Sequence, residues 1–253
     1  MRRIYLYNHE KIGSTIFVSG EPAHYLKNVL RMTIGSKFLA FDGSGNEYTL
    51  EIKKFLNSKV ETKILQEQYS EQKEPQISIE LCLCLCKIAT FENIIKKAAE
   101  IGVSKIIPVK SMRSIFEIDE KKLPAKLERW KKIAAEGSKI AGRTRIPEIK
   151  KIENFETIIT QDLPAILFWE QSRVPLKDAL NNIFSKIQEK RSIAILIGPE
   201  GGFTENEVEK AAENHISIAS LGPRILSVET ASILAIGIAF YELGLFDALS
   251  GSL

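Results

Sequence analysis

Hydrophobic and polar positions change their period near residue 75. Before it, apolar residues recur every second position in short runs, which predicts strands at residues 2–7, 14–19, 36–41, 46–55 and 58–66. One short helix, over residues 22–30, interrupts them. Asp42-Gly43-Ser44-Gly45 between two of the runs is a hairpin turn signal. Short strands at this spacing predict a small β-barrel.

Tyr69-Ser70-Glu71-Gln72-Lys73-Glu74-Pro75 is polar, ends in proline and separates that region from a different pattern, so it reads as a linker. Beyond it, buried-type strands at 77–86, 105–109, 165–169, 192–197 and 216–221 alternate with helices at 91–101, 124–140, 154–160, 176–188, 204–214 and 229–243. Alternation of this kind predicts a largely parallel α/β sheet covered by helices. Connection rules alone favour an unknotted, doubly wound sheet. Two domains are expected, residues 1–69 and residues 76–253.

With 253 residues, 44% hydrophobic and 26% charged, the chain is an ordinary globular protein and neither disordered nor fibrous. Its most apolar stretch, Ala231 to Tyr241, is 11 residues long, short of the ~20 that span a bilayer. The start, Met1-Arg2-Arg3-Ile4-Tyr5, lacks the apolar core of a signal peptide. A cytoplasmic location without membrane association is the expectation.

All three cysteines lie in Leu81-Cys82-Leu83-Cys84-Leu85-Cys86, on one face of a strand. A straight strand does not wrap three thiolates around one ion, so packing rather than a metal site is expected. Charge is unevenly spread: the net charge is +3, yet residues 87–150 carry +8 and residues 151–253 carry −6. The basic segment suits a phosphate backbone, or equally a set of solvated helix faces.

Two segments carry the candidate chemistry. Ile197-Gly198-Pro199-Glu200-Gly201-Gly202-Phe203 leaves a buried strand and enters a helix opened by the capping box Thr204-Glu205-Asn206-Glu207. Leu221-Gly222-Pro223-Arg224-Ile225-Leu226-Ser227-Val228-Glu229-Thr230-Ala231 repeats the plan in the next strand–helix unit. Both loops fall at strand carboxyl ends, where open α/β sheets bind ligands. Neither has the Lys-Ser/Thr ending of a P-loop or the glycine spacing of a dinucleotide fingerprint, and Glu200 would repel a pyrophosphate. A ligand carrying positive charge suits the loop better.

This pair of loops resembles the cofactor loops of the SPOUT-class methyltransferases, and within them the RsmE-type enzymes. The likeness extends to His24-Tyr25-Leu26-Lys27-Asn28-Val29-Leu30-Arg31, to Phe41-Asp42-Gly43-Ser44-Gly45 and to Lys96-Lys97-Ala98-Ala99-Glu100-Ile101-Gly102-Val103, so it covers nearly the whole chain. It implies methylation of uridine N3 in 16S ribosomal RNA of the small subunit with S-adenosylmethionine. A PUA-like N-terminal barrel, a C-terminal SPOUT domain with a trefoil knot, and a homodimer are also implied. Two alternatives are another RNA target, such as a ribose 2′-hydroxyl, and an RNA-binding protein without catalysis.

The resemblance assigns the cofactor to Leu167, Glu170, Ile197, Gly198, Pro199, Glu200, Gly201, Gly202, Leu221, Gly222, Ile225 and Leu226. Main-chain groups at the glycines would hold it, Leu221, Ile225 and Leu226 would enclose the adenine, and Glu170 would sit near the ribose or the amino end. Uridine N3 must lose a proton, so Arg224 is a candidate to stabilise charge on the uracil oxygens and Glu229 a candidate proton acceptor. Either is equally a structural residue, Arg224 bridging a loop and Glu229 capping a helix. Arg2, Arg3, His24, Arg31, Arg143 and Arg145 form the candidate RNA-binding set. Two positions depart from the family pattern: Ile140 stands where Gln is usual, and Ser227 where Arg commonly follows the Ile-Leu pair.

Overall fold

The computed structural model describes residues 2–7, 9–69, 74–114 and 119–246; residues 70–73 of the expected linker therefore lie outside the described residues. The chain divides into two compact units, Met1–Lys73 with Gly142–Ile146, and Glu74–Ala141 with Pro147–Leu253.

The first unit is built on a six-stranded sheet of β1 (Arg3–Tyr5), β2 (His9–Ile12), β3 (Thr15–Ser19), β4 (Lys37–Phe41), β5 (Asn46–Phe55) and β6 (Lys59–Tyr69), in the order β1-β4-β5-β6-β3-β2. All neighbours are antiparallel except β1 and β4. Two register shifts between β5 and β6, after Thr49 and after Ile52, bend the two longest strands and curl the sheet. The period-two positions turn inward as expected: Ile16, Val18, Phe38, Leu50 and Ile52 form one core with Ile4, Leu6 and Leu26. β2 escapes the pattern because His9-Glu10-Lys11-Ile12 is a largely exposed edge strand, where charged side chains are tolerated.

Where one helix is expected over 22–30, the chain forms helix α1 (Gly20–His24) and then a π-helical turn, Tyr25–Val29. The wider turn shows in the Leu30 N–H donating to the Tyr25 carbonyl at 2.9 Å. Arg31 follows in the left-handed region with φ 48°.

Asp42 organises the β4–β5 connection. Its carboxylate accepts hydrogen bonds from the Ser44 amide at 2.8 Å, the Ser44 hydroxyl at 2.7 Å, the Asn46 side-chain amide at 2.8 Å and the Tyr48 hydroxyl at 3.1 Å. Burial disfavours the charged form, but the bonds from Asn46, Ser44 and Tyr48 outweigh it and hold the carboxyl below its ordinary value. The same neighbourhood pushes the Tyr48 phenol up, through burial and the Asp42 charge. Opposite this turn, Gly43 and Ser44 form bridges with Arg145, which brings residues 142–146 into the unit.

The second unit has a parallel sheet. Its elements in chain order are β7 (Ser78–Cys84), α2 (Ile88–Ile101), β8 (Lys105–Lys110), α3 (Leu123–Ile140), β9 (Glu148–Ile149), β10 (Glu153–Asn154), α4 (Phe155–Ile159), β11 (Ala165–Phe168), α5 (Leu176–Lys190), β12 (Ser192–Ile197), α6 (Glu205–Glu213), β13 (Ser217–Ala219) and α7 (Val228–Glu242). The strand order is β10-β8-β7-β12-β11-β13, with β9 also beside β8, and every pairing is parallel. β12 is thus inserted between β7 and β11, which precede it in the chain. Both faces of β7, β11 and β12 are covered, which is why these runs are almost wholly apolar, with Ser78, Glu80 and Ser192 confined to the amino-terminal halves of β7 and β12.

On one face, Cys82 and Cys84 pack with Phe155, Leu167, Leu196 and Phe203. All three cysteines are buried, and burial pushes the Cys84 and Cys86 thiols up to about 12, so they stay protonated and act as small apolar groups. On the other face, Phe91 of α2 lies against Trp130 of α3 with ring centroids 4.7 Å apart. The basic helix α3 comes close to α2 because residue 137 is glycine: a Cβ there would stand 2.2 Å from the Lys96 carbonyl oxygen. The apolar helix α7 packs on α2, α5 and β12. No helix among the described residues is long and apolar enough to cross a membrane.

Asp42→Ala is expected to destabilise the protein by roughly 1–3 kcal/mol at pH 7, the usual worth of hydrogen bonds to a charged group. Because the folded carboxyl titrates below its unfolded value of about 4, this contribution is present above that value and vanishes as pH falls through the lowered one. Urea unfolding followed by circular dichroism should show the gap between wild type and variant at pH 7 narrowing towards pH 3. An unchanged gap would contradict the assignment.

Candidate functional site

The carboxyl ends of β11, β12 and β13 open into one cavity of about 600 Å³ within the second unit, in the roughly 300–1,000 Å³ range of small-molecule sites. Phe168, Trp169 and Glu170 line it after β11, the glycine loop from Ile197 to Phe203 after β12, and Ser220, Leu221, Gly222, Arg224, Ile225 and Leu226 after β13. Lys87 and Thr90 at the start of α2, and Ser227, Val228 and Ala231 at the start of α7, complete the wall.

Each loop is held by side chains that satisfy its main chain. The Gly202 amide donates to the Pro199 carbonyl at 2.9 Å, closing a tight turn. Gly202 has φ 68°, and a Cβ on it would stand 3.1 and 3.2 Å from the two carboxylate oxygens of Glu170. Glycine is required there both for backbone conformation and for the approach of Glu170. Glu200 accepts a hydrogen bond from the Lys87 amide at 3.0 Å, at the positive N-terminal end of α2.

The expected capping box is present. Thr204 Oγ1 accepts from the Glu207 amide at 3.2 Å, and Glu207 Oε2 accepts from the Thr204 amide at 2.8 Å. Glu207 does more than cap, because its Oε1 accepts from the Met112 amide at 2.8 Å. In the second loop, Ser220 Oγ accepts from the Gly222 amide at 3.1 Å. Ser227 is the N-cap of α7, its Oγ accepting from the Thr230 amide at 3.2 Å. A residue that departs from the family pattern thus has a local structural task.

Of the residues expected at a cofactor site, Glu170, Ile197, Gly198, Pro199, Glu200, Gly201, Gly202, Leu221, Gly222, Ile225 and Leu226 line this cavity, and Leu167 does not. Leu167 is fully buried in the core on the Cys82 face, and its strand neighbour Phe168 reaches the cavity instead. Arg224 is on the wall and exposed. Glu229 is not: in the first turn of α7 it accepts a hydrogen bond from the Asn93 side-chain amide at 2.6 Å. That ties it to α2, in keeping with the structural alternative for this residue.

The basic candidates of the first unit also divide. Arg2, His24, Arg31 and Arg145 are exposed. Arg3 is committed within the unit, donating to Glu47 at 2.8 Å and to the Arg143 carbonyl at 2.7 Å, with its guanidinium 4.1 Å from the Phe41 ring centre. Arg143 is only 3% exposed, so its guanidinium is not presented at the surface. Arg145 donates to the Tyr69 hydroxyl at 2.6 Å.

Lys87, Thr90, Phe168, Trp169 and Phe203 belong to the cavity but not to the expected set. Phe168-Trp169 at the end of an apolar strand was the available signal. Lys87 and Thr90 arrive from the distant helix α2 and leave no local trace in sequence.

A family model described as an RNA methyltransferase domain matches residues 72–239, and another described as an RNA methyltransferase PUA domain matches residues 18–64. Ribosomal RNA small subunit methyltransferase E of Bacillus subtilis is 32% identical over 232 residues, 90% of each chain. The chain belongs to the RsmE-type RNA methyltransferases. Among solved structures it resembles the Neisseria gonorrhoeae ribosomal RNA small subunit methyltransferase E bound to S-adenosylmethionine, with a TM-score of 0.82, 26% identity and 95% and 97% of the two chains covered. It also resembles a Legionella pneumophila methyltransferase in complex with the same cofactor, with a TM-score of 0.78, 27% identity and 94% and 96% covered.

For this RsmE-type chain, the geometry separates its adjacent glycines. Gly202→Ala is expected to cost about 1–2 kcal/mol, because alanine pays for a left-handed conformation and its Cβ also meets Glu170. Gly201 lies outside that region and a Cβ would meet Arg113 at ordinary contact distance, so Gly201→Ala should be nearly neutral. Denaturant midpoints check the pair; equal losses would contradict the loop geometry.

Proposed function

We propose that this enzyme transfers the methyl group of S-adenosylmethionine to N3 of a uridine in 16S ribosomal RNA of the small ribosomal subunit. The observation that carries the reading is the cavity at three adjacent parallel strand ends, walled by glycine main chain, apolar side chains and the carboxylates of Glu170 and Glu200. These residues fit the cofactor. Leu221, Ile225 and Leu226 supply the apolar surface an adenine needs, and main chain at Gly198, Gly201, Gly202 and Gly222 supplies donors and acceptors without side-chain bulk. Acidic groups favour a cationic ligand, and Glu170, beside Gly202, is placed for ribose hydroxyls or the amino end.

When bound, the cofactor supplies a methyl group on a positively charged sulfur, open to in-line displacement. The residues of the chain then have two tasks, to hold donor and acceptor in line and to favour the deprotonated uracil. Arg224 on the cavity wall serves the second, its fixed positive charge stabilising negative charge on the uracil oxygens as the N3 proton leaves. Glu229, tied to Asn93, takes no part in the transfer.

The first unit is read as a PUA-like barrel that binds the RNA backbone through Arg2, His24, Arg31 and Arg145. The functional modules are residues 1–69 and 76–253, with 142–146 contributed to the compact unit of the first. The chain around β12, β13 and α7 is read as a trefoil knot, in keeping with the insertion of β12 between earlier strands. Exposed Leu234 and Tyr241 on α7 and Phe184 on α5 support a homodimer. The enzyme acts in the cytoplasm, where its ribosomal substrate is found.

Small subunits from a strain lacking the enzyme, incubated with labelled cofactor and digested to nucleosides, should yield label in 3-methyluridine. Label only in 2′-O-methylated nucleosides would overturn the base assignment. Arg224→Ala should lower turnover about 100-fold, the effect of losing one charge-stabilising group, with cofactor affinity within about threefold. Equal losses in both would make Arg224 a structural residue.

A further inference from the structure

Arg113 lies outside the cavity wall, in the turn that follows β8, yet it is joined directly to the glycine loop. Its Nη1 donates to the Gly201 carbonyl at 2.8 Å and to the Phe203 carbonyl at 3.5 Å. Its Cβ and Cδ carbons lie where they would be 3.4 Å from a Cβ on Gly201. The stem of the arginine therefore covers the face of the loop that has no side chain, while the guanidinium holds two carbonyls, one on each side of Gly202.

A second tie lies one residue away. The Met112 amide donates to Glu207, a carboxylate only 4% exposed that also accepts from the Thr204 amide and hydroxyl. The turn bearing Arg113 is itself closed, with the Ser111 amide donating to Ser114 Oγ at 3.1 Å and the two hydroxyls 3.0 Å apart. The Gly201–Thr204 stretch is thus gripped from the outside at Gly201, Phe203 and Thr204. Its inner surface is the cavity wall.

We infer that Arg113 is a positioning residue for the methyl donor. By holding the Gly201 and Phe203 carbonyls, it fixes the Gly201–Gly202 and Phe203–Thr204 peptide planes, and with them the groups that the stretch between presents to the cofactor. Without it the two-glycine sequence is free to reorient its peptides, because glycine occupies both signs of φ at little cost. The cofactor must then pay for ordering the loop. Arg113 does not touch the reacting atoms, so cofactor affinity should suffer and the chemical step should not.

The inference rests on the cofactor reading above. The test compares wild type, Arg113→Met and Arg113→Lys by calorimetric titration with S-adenosylmethionine and by the kinetics of small-subunit methylation. Methionine keeps the stem over Gly201 and loses the hydrogen bonds; lysine restores one donor. Arg113 is exposed, so both variants should fold. The expected result is a rise of about tenfold in Kd and KM for the cofactor with Arg113→Met, the scale of one or two lost charge-assisted bonds. Arg113→Lys should fall between, with kcat within threefold of wild type in both.

Unchanged cofactor affinity in Arg113→Met beside a wild type that binds normally would overturn the positioning role alone. So would a kcat loss matching the affinity loss, or a lysine variant no better than methionine. A wild type that binds no cofactor would overturn the cofactor assignment itself, and this inference with it.

Discussion

Parallel pairing of Ser192–Ile197 between Ser78–Cys84 and Ala165–Phe168 is the constraint from which the chemistry of the second unit follows. In a parallel sheet all carboxyl ends share one edge, so the loops leaving neighbouring strands must meet there. Ser217–Ala219 beside Ala165–Phe168 adds a third such loop. Main chain at this edge has left the ladder, and each polar group must find another partner or remain available to a ligand. Thr204, Glu207, Ser220 and Arg113 satisfy the outward and terminal groups. What remains faces a cavity with little side-chain bulk.

Charge is distributed to match. Carboxylates at Glu170 and Glu200 stand on the cavity wall together with the guanidinium of Arg224; in the proposed reaction the carboxylates face the cationic donor and Arg224 the uracil on which negative charge develops. Polar groups elsewhere serve the frame. Asp42 orders a turn in the first unit, and Glu207 joins the glycine loop to the turn after Lys105–Lys110.

Much of this was legible in sequence because local and global signals agree. The apolar run 192–197, the capping box at Thr204 and the two glycine loops each specify local structure strongly enough to survive packing. The Leu167 assignment did not survive because strand period alone does not say which neighbour points past the strand end; Phe168 does. Arg3 and Arg143 look like surface cations in a list of residues, but Glu47, Phe41 and the burial around residues 142–146 turn them inward. Those contacts span more than 40 residues of chain in one case and 140 in another, and no local pattern encodes them. The strands His9–Ile12, Glu148–Ile149 and Glu153–Asn154 are too short or too polar to leave a periodic trace. Arg113 was invisible for the same reason, since its meaning lies in a carbonyl 88 residues away.

The central claim is that main chain at the three strand ends encloses S-adenosylmethionine. A crystal structure of the complex tests it most directly. The account predicts the adenine among Leu221, Ile225 and Leu226, polar contacts to main chain of the glycine loops, and the sulfonium methyl open towards Arg224. A cofactor bound outside this cavity, or one held there with its methyl turned away from Arg224, would contradict it.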